Sequence, residues 1–222
     1  MKPLASAPPL AEQVRDAVLA EITSGRLAPG ARIIQEQLAQ SLGVSRQPVQ
    51  QALLLLRDQG VLREAPGRGL EVAPLDADQV AHVYELRTVV EGLAARRAAQ
   101  HAPERAARQG PALIRAGRQA TANASVPRLV AADRRFHEFV YELSGNPLLA
   151  STMAVHWTTT ERVMSEVLQR DETPMDIWDQ HAAILDAIAA GDADRAEALA
   201  RAHTETAASF MTARLRAQAA GA

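Results

Sequence analysis

Four side chains in the second half of the chain have the types and spacing of a metal site. Asp133 and His137 are four residues apart, so on a helix they lie on one face. His181 and His203 stand at similar distances on either side of a turn at Gly191-Asp192, so two antiparallel helices would bring them level. One carboxylate and three imidazoles can hold a divalent transition metal, with positions left for water or a ligand carboxylate. The alternative is four unrelated polar residues on helix faces, and the spacing alone favours that alternative.

An arginine stands on an apolar helix face upstream of these residues. Arg87 shares a stripe with Val83, Val90 and Ala94, which predicts that its guanidinium points inward and needs an anionic partner. That partner is either the carboxylate of an effector or Glu91, one helical turn further along. The residues alone leave both interpretations open.

Helices must position these side chains, because the chain beyond Pro74 shows almost no strand pattern. Proline, glycine and capping residues break it into six predicted helices, at about 77–101, 103–123, 126–144, 147–169, 174–190 and 192–219. We therefore expect residues 75–222 to form an all-α helical bundle that serves as a second domain.

The first half contains a predicted helix-turn-helix motif between Leu38 and Gly60. Gly43 ends the first helix and Ser45 caps the second, whose apolar residues recur at spacings of three and four. The opposite face begins with three side chains that suit phosphates and base edges in a major groove: Arg46, Gln47 and Gln50. An ordinary helical hairpin is the alternative to DNA binding.

The flanking segments complete a winged helix. Residues 1–8 are predicted to be a flexible tail, and a helix begins at Pro9 or Leu10. After Gly60, two short strands around a Pro-Gly-Arg-Gly tip predict a β-hairpin wing, whose Arg68 either reaches a minor groove or is only solvated. Residues 9–74 are thus predicted to be a winged helix-turn-helix DNA-binding domain, and the fold class is mainly α.

Composition limits the kind of protein this is. A chain of 222 residues suffices for two domains, and its net charge of -2 means that any DNA contact must come from a local patch. The chain has no cysteine, which excludes disulfides and thiolate metal ligands. Its apolar runs are too short to span a bilayer and no signal-peptide pattern is present, so we expect a cytoplasmic protein without a membrane partner.

Two sets of motifs resemble one family of bacterial regulators. PGARI, LAQSLGVSRQPVQQAL and GRGLEV resemble the winged helix of the GntR family of transcriptional regulators. YELRTVVEGLAARRAA, DRRFHEFVYELSGNPLL and HAAILDAIAAGDADRAEALARAH are similar to the helical ligand-sensing domain, of the FCD type, in its FadR subfamily. With six helices after the wing, the chain resembles the shorter, VanR-like branch.

The resemblance implies roles for the residues singled out above. In similar domains Asp133, His137, His181 and His203 match the metal-ligand set, for which zinc, nickel and manganese are all candidates, and Arg87 lies beside the effector cavity. The chain departs from the family at Gln50-Gln51, where Arg-Glu is common. The loss of that arginine predicts an altered operator sequence or weaker backbone binding.

Together these observations predict a homodimeric, metal-containing transcriptional regulator. It would bind double-stranded operator DNA as a repressor and be released by a small organic acid with a carboxylate. One alternative is a metal-dependent enzyme with an appended helical hairpin, which is disfavoured because no nucleophile or general base accompanies the metal ligands. The other is a constitutive DNA-binding protein whose second domain is purely structural.

Overall fold

The structure, a computed structural model, describes residues 9–123, 125–169 and 176–220. The chain divides into two compact units, Met1–Pro74 and Leu75–Ala222, each with its own apolar core. The tail predicted at residues 1–8 lies outside the described residues. Within the described ranges, the helices lack the combination of length and apolar character that crossing a membrane requires.

The first unit is a winged helix-turn-helix. Its elements are α1 (Leu10–Thr23), β1 (Arg32–Ile33), α2 (Gln35–Leu42), α3 (Arg46–Asp58), β2 (Leu62–Glu64) and β3 (Leu70–Val72). The three strands form an antiparallel sheet in the order β1-β3-β2. The wing was predicted as a two-stranded hairpin, and β1 was missed because two residues carry too little pattern to reveal a strand.

The turn of the helix-turn-helix depends on Gly43. Gly43 adopts a φ of 64°, the left-handed conformation that costs a residue without Cβ least, and Val44 then donates its N–H to the Ala39 carbonyl at 3.0 Å. Ser45 stands at the start of α3 in an extended conformation, but its side chain makes no capping hydrogen bond, so that part of the prediction was wrong. The apolar face of α3 is buried against α1 and anchors the motif.

The second unit is the predicted all-α bundle. It contains six helices within the described residues: α4 (Ala77–His101), α5 (Pro103–Ala122), α6 (Val126–Leu143), α7 (Pro147–Leu168), α8 (Ile177–Ala189) and α9 (Ala193–Ala220). The predicted start of α8 at residue 174 falls among residues that the structure does not describe. The longest interface joins α4 to α9, and α5 packs against both α6 and α8. The predicted fold class is therefore confirmed in both units.

Glycines on α5 let α8 approach closely. A Cβ at Gly117 would lie 2.1 Å from Cζ2 of Trp178, and one at Gly110 would lie 2.2 Å from Cδ2 of Leu185. The indole of Trp178 in turn packs edge-on against the ring of His181, with ring centroids 4.7 Å apart. The α5–α8 contact therefore fixes where α8 places His181.

Candidate metal centre and DNA-binding face

Three helices bring the four predicted metal ligands together in the core of the bundle. Asp133 and His137 project from α6, His181 from α8 and His203 from α9, and all four are buried. One nitrogen from each imidazole lies within 4.8 Å of the other two. The Nε2 atoms of His181 and His203 are 3.2 Å apart. The Asp133 carboxylate lies 3.6 Å from Nε2 of His181 and 3.8 Å from Nε2 of His137.

Hydrogen bonds on the far side of two rings determine which nitrogen faces the centre. Nδ1 of His137 lies 2.9 Å from Oε2 of Glu91, and Nδ1 of His203 lies 2.9 Å from Oε1 of Gln180. Because both oxygens are acceptors, each ring donates from Nδ1, and an uncharged ring then directs the lone pair of Nε2 inward. Metal-binding histidines are oriented in this way by acceptors that bond to the ring nitrogen facing away from the metal.

The separations suit a metal ion. Bonds of about 2.0–2.2 Å to nitrogen and oxygen place neighbouring ligand atoms roughly 3–3.5 Å apart. The 3.2 Å between the Nε2 atoms of His181 and His203 already matches that spacing, and the Asp133 oxygens lie only slightly further out. The donor set therefore fits a divalent transition metal.

Burial controls the protonation of these groups. Burial, with the nearby charges of His137 and Arg87, lowers the pKa of His203 to about 3, and it lowers the pKa of His181 well below its ordinary value. Burial also raises the pKa of Asp133, against the opposing charges of His137 and Arg87. At neutral pH the imidazoles of His181 and His203 are thus uncharged, the state that metal binding requires.

Arg87 borders the same cluster. Its guanidinium carbon lies over the ring of Tyr84 and over the ring of Trp157, 5.0 and 4.9 Å from their centroids. Its Nη2 is 3.5 Å from Oε1 of Glu91 and 3.4 Å from Nε2 of His137, whereas its buried Nε has no hydrogen-bond partner among the described residues. The pair with Glu91 exists but is long, and the arginine keeps an N–H for another acceptor.

Glu91 has a larger role than the sequence indicated. Besides contacting Arg87, its carboxylate accepts hydrogen bonds from His137 and from the hydroxyl of Tyr141. Burial alone would raise the pKa of Glu91, but these charges and hydrogen bonds outweigh burial and lower it to about 2. Local spacing revealed only the contact with Arg87, and no pattern marked Gln180 as a partner of His203.

A cavity of about 60 Å³ adjoins the cluster. Arg87, Asp133, His137 and His203 all contribute to its wall. A small molecule bound there would therefore meet the guanidinium and the candidate metal ligands at once.

The residues predicted to contact DNA lie at the surface of the first unit. Arg46, Gln47 and Gln50 are exposed at the start of α3, and Gln50 shares the lining of a surface cleft with Arg68 of the wing tip. Arg46 donates to Oε1 of Glu36 at 2.5 Å, although both side chains are mostly exposed. No sequence pattern predicts this ion pair, because it joins residues on two different helices.

Comparisons with known proteins give a family match for each of the two units. Residues 10–72 match the family described as bacterial regulatory proteins, gntR family, and residues 82–206 match the FCD domain. An HTH-type transcriptional regulator of Streptomyces ambofaciens is 32% identical over 178 residues, 80% of this chain and 74% of the relative. A putative L-lactate dehydrogenase operon regulatory protein of Escherichia coli is 31% identical over 218 residues, 87% and 83% of the two chains. The structure of E. coli McbR/YncC superposes with a TM-score of 0.79 at 22% identity, covering 92% of this chain and 98% of that one.

The burial of His203 predicts acid sensitivity of the metal-stripped protein. The unfolded chain takes up a proton near pH 6.5 and the folded chain only near about pH 3, so between these values the unfolded state binds more protons. The free energy of unfolding should fall as the pH is lowered through this window, by up to about 1.4 kcal/mol per pH unit from this residue. Urea titrations at several pH values measure the slope.

His203→Gln should make this slope shallower, whereas His82→Gln, at an exposed position on α4, should leave it unchanged. Equal slopes in the wild type and His203→Gln would contradict the buried, neutral state of His203.

Proposed function

Because the chain belongs to the GntR family of bacterial regulatory proteins, with an FCD domain after its winged helix, we propose that it is a metal-containing repressor released from DNA by a small carboxylate. Membership itself makes it a DNA-binding transcriptional regulator with an effector-binding domain. The similar proteins are regulators and not enzymes, so the enzyme alternative falls away. The metal, the acid, the repression and the dimer are our proposal.

The observation that carries the proposal is the convergence of Asp133, His137, His181 and His203 in one buried cluster. Glu91 and Gln180 support it by holding Nδ1 of two of the rings. The four side chains would hold zinc, nickel or manganese, since imidazole nitrogen and carboxylate oxygen suit all three. Such an ion supplies a fixed positive charge and a Lewis acid for a carboxylate oxygen.

The effector is proposed to be a carboxylate because of Arg87. The guanidinium is buried, borders the cavity and keeps one N–H without a partner among the described residues. A buried cation of this kind is stabilised by an anion that arrives with two acceptor oxygens. One similar protein is named for an L-lactate dehydrogenase operon, which accords with a small acid as effector.

The DNA-binding surface is proposed to consist of Arg46, Gln47, Gln50 and Arg68. Side chains at the start of a recognition helix meet base edges, and an arginine at a wing tip can enter the adjacent minor groove. Arg46 must exchange its contact with Glu36 for one with DNA, and a pair this exposed opposes that exchange by at most about 1 kcal/mol.

A homodimer is proposed from the apolar surface of two packed helices. On α4, Leu86, Val89 and Leu93 are 38%, 56% and 42% exposed at spacings that share one face. On α7, which packs against α4, Leu148 and Val155 are 68% and 60% exposed. A second copy related by two-fold symmetry would cover such a surface and provide the second recognition helix that operator specificity requires.

The dimer is tested by placing a charge on this surface. Val89→Glu and Val155→Glu should each convert the protein to a monomer in sedimentation velocity, because a carboxylate would be desolvated at the interface. Gln119→Glu adds the same charge at an exposed position of α5 and should leave the dimer intact. Monomers in the wild type, or dimers in both valine variants, would contradict the proposed interface.

The DNA-binding surface is tested with a selected operator in fluorescence anisotropy. Arg46→Ala and Arg68→Ala should weaken binding and each reduce the salt slope by about one, if the lost contact is to phosphate. Gln50→Ala should mainly relax the base preference. Arg26→Ala is the control and should bind normally. Arg26 follows the end of α1, is exposed and is paired with Glu21. Normal affinity, salt slope and preference in all test variants would show that another face binds DNA.

Metal-dependent sensing is tested by removing either the metal or Arg87, the two groups proposed to bind the effector acid. His203→Ala should lose the metal by elemental analysis and melt at a lower temperature, because a ligand bound only by the folded state stabilises it. Arg87→Ala should keep the metal but no longer leave the operator when organic acids are added. His82→Ala, at an exposed histidine, should behave as the wild type.

The wild type, once a chelator has removed its metal, should bind the operator and stay bound when the acids are added. A stripped protein that still responds fully would refute metal-dependent sensing. A metal-loaded protein that responds to none of the acids would instead favour the constitutive alternative.

A further inference from the structure

The cavity beside Arg87 has a polar end and an apolar end. Its polar end is formed by the guanidinium, the Asp133 carboxylate and the imidazoles of His137 and His203. Its apolar wall is lined by Leu129, Met164, Leu168, Ile177, Phe210 and Met211.

Helix geometry places two of these apolar side chains one to two turns from a metal ligand on the same helix. Met211 follows His203 by eight residues on α9, which is about 12 Å along a helix. Leu129 precedes Asp133 by four residues on α6, about 6 Å. A ligand whose carboxylate lies at Arg87 therefore directs the rest of its structure towards hydrocarbon.

Two of the polar groups beyond the imidazoles, those of Thr206 and Gln180, already have partners within the protein. Thr206 donates its hydroxyl to the Ala202 carbonyl at 2.8 Å. Gln180 bonds to His203 through its oxygen and to Asp176 through its nitrogen, at 2.9 and 2.8 Å. The indole Nε1 of Trp178 lacks a partner among the described residues, but it adjoins Cε2, the ring atom that packs against Gly117 of α5. A hydroxyl that faces the apolar wall at Phe210 and Met211 would therefore give up water without gaining an equivalent partner.

The charge of Asp176 also restricts the ligand. Asp176 is exposed at the start of α8 and lines the cavity. Its carboxylate would repel a second negative group on a ligand whose first carboxylate is held by Arg87. The volume of about 60 Å³ accommodates a short chain.

From this arrangement we infer that the effector is a short monocarboxylate whose chain ends in hydrocarbon, rather than a sugar acid, a dicarboxylate or an acid with a hydroxyl at the end of its chain. The inference rests on the proposed function, because it assigns the tail of a carboxylate that Arg87 binds. The tail lies against Phe210 and Met211, and the carboxylate lies at the polar end.

Three acids that differ only at the end of the tail test the inference. Pentanoate, 4-hydroxybutanoate and glutarate carry a methyl, a hydroxyl or a carboxylate at the same position, too far from the first carboxylate for a compact metal chelate. Isothermal titration of the full-length, metal-loaded protein should show pentanoate binding at least about tenfold more tightly than either of the others. The preference arises because the methyl leaves water favourably, whereas the hydroxyl and the charge do not.

Two nearly isosteric variants probe the apolar wall. Met211→Gln and Met164→Gln should each reduce the preference for pentanoate over 4-hydroxybutanoate from about tenfold towards parity, because the new amide can bond to the hydroxyl. Leu10→Gln, at an exposed position of α1, should keep the full preference. Circular dichroism and metal content show which variants are folded. Because two positions are substituted, the test still holds if one variant fails to fold.

The outcomes separate this inference from the proposed function. Wild-type binding that depends on Arg87 but is equal for the three acids, or favours 4-hydroxybutanoate or glutarate, would overturn the apolar tail and leave the carboxylate sensor standing. Binding that survives Arg87→Ala unchanged would overturn both. The absence of binding by any of the three at millimolar concentration would overturn the short hydrocarbon tail and leave the carboxylate sensor standing.

Discussion

Ionised groups buried inside the bundle impose the main constraint on this structure. A charge taken out of water remains stable only where opposite charges and hydrogen bonds replace the water. Glu91 meets this condition by bonding to His137 and Tyr141 of α6 while it contacts Arg87 on its own helix, α4. The register of α4 against α6 cannot change by a turn without leaving the carboxylate and the guanidinium unpaired. The pairing of these buried charges therefore fixes both the packing of α4 against α6 and the geometry of the site.

This constraint also explains how metal and acid binding are linked in the proposed function. His137 bonds to Glu91 through one nitrogen and turns the other towards Arg87 and Asp133. A cation at the imidazoles and an anion at the guanidinium would each alter the electrostatic environment of the other within a few ångströms. By linkage, whatever the metal does to acid affinity, the acid does to metal affinity. That reciprocity requires no long pathway, because the two sites share His137 as a neighbour.

Much of the fold could be predicted because local chemistry determines it. Gly43 fixed the turn of the helix-turn-helix, and proline and glycine breaks separated the six helices of the bundle. The spacing of Asp133 and His137, and the positions of His181 and His203 around one turn, were enough to suggest a common site. Partners that come from distant elements carry no local pattern, so the contacts of Glu91 with Tyr141, of Gln180 with His203 and of Arg46 with Glu36 could not be predicted. The short strand β1 was missed for a related reason, since only its pairing with β3 defines it.

The tight approach of α5 to α8 has a consequence for genetics. Gly117 contributes no ligand atom, yet any side chain there would push the indole of Trp178, and Trp178 lies one helical turn before His181 on α8. Under the proposed function, a screen for alleles that repress permanently should recover changes at this glycine as well as at the histidines. Such alleles would have the phenotype of changes at the metal ligands, although they lie on a helix that contributes no ligand atom. Their suppressors would be sought among smaller residues at position 178.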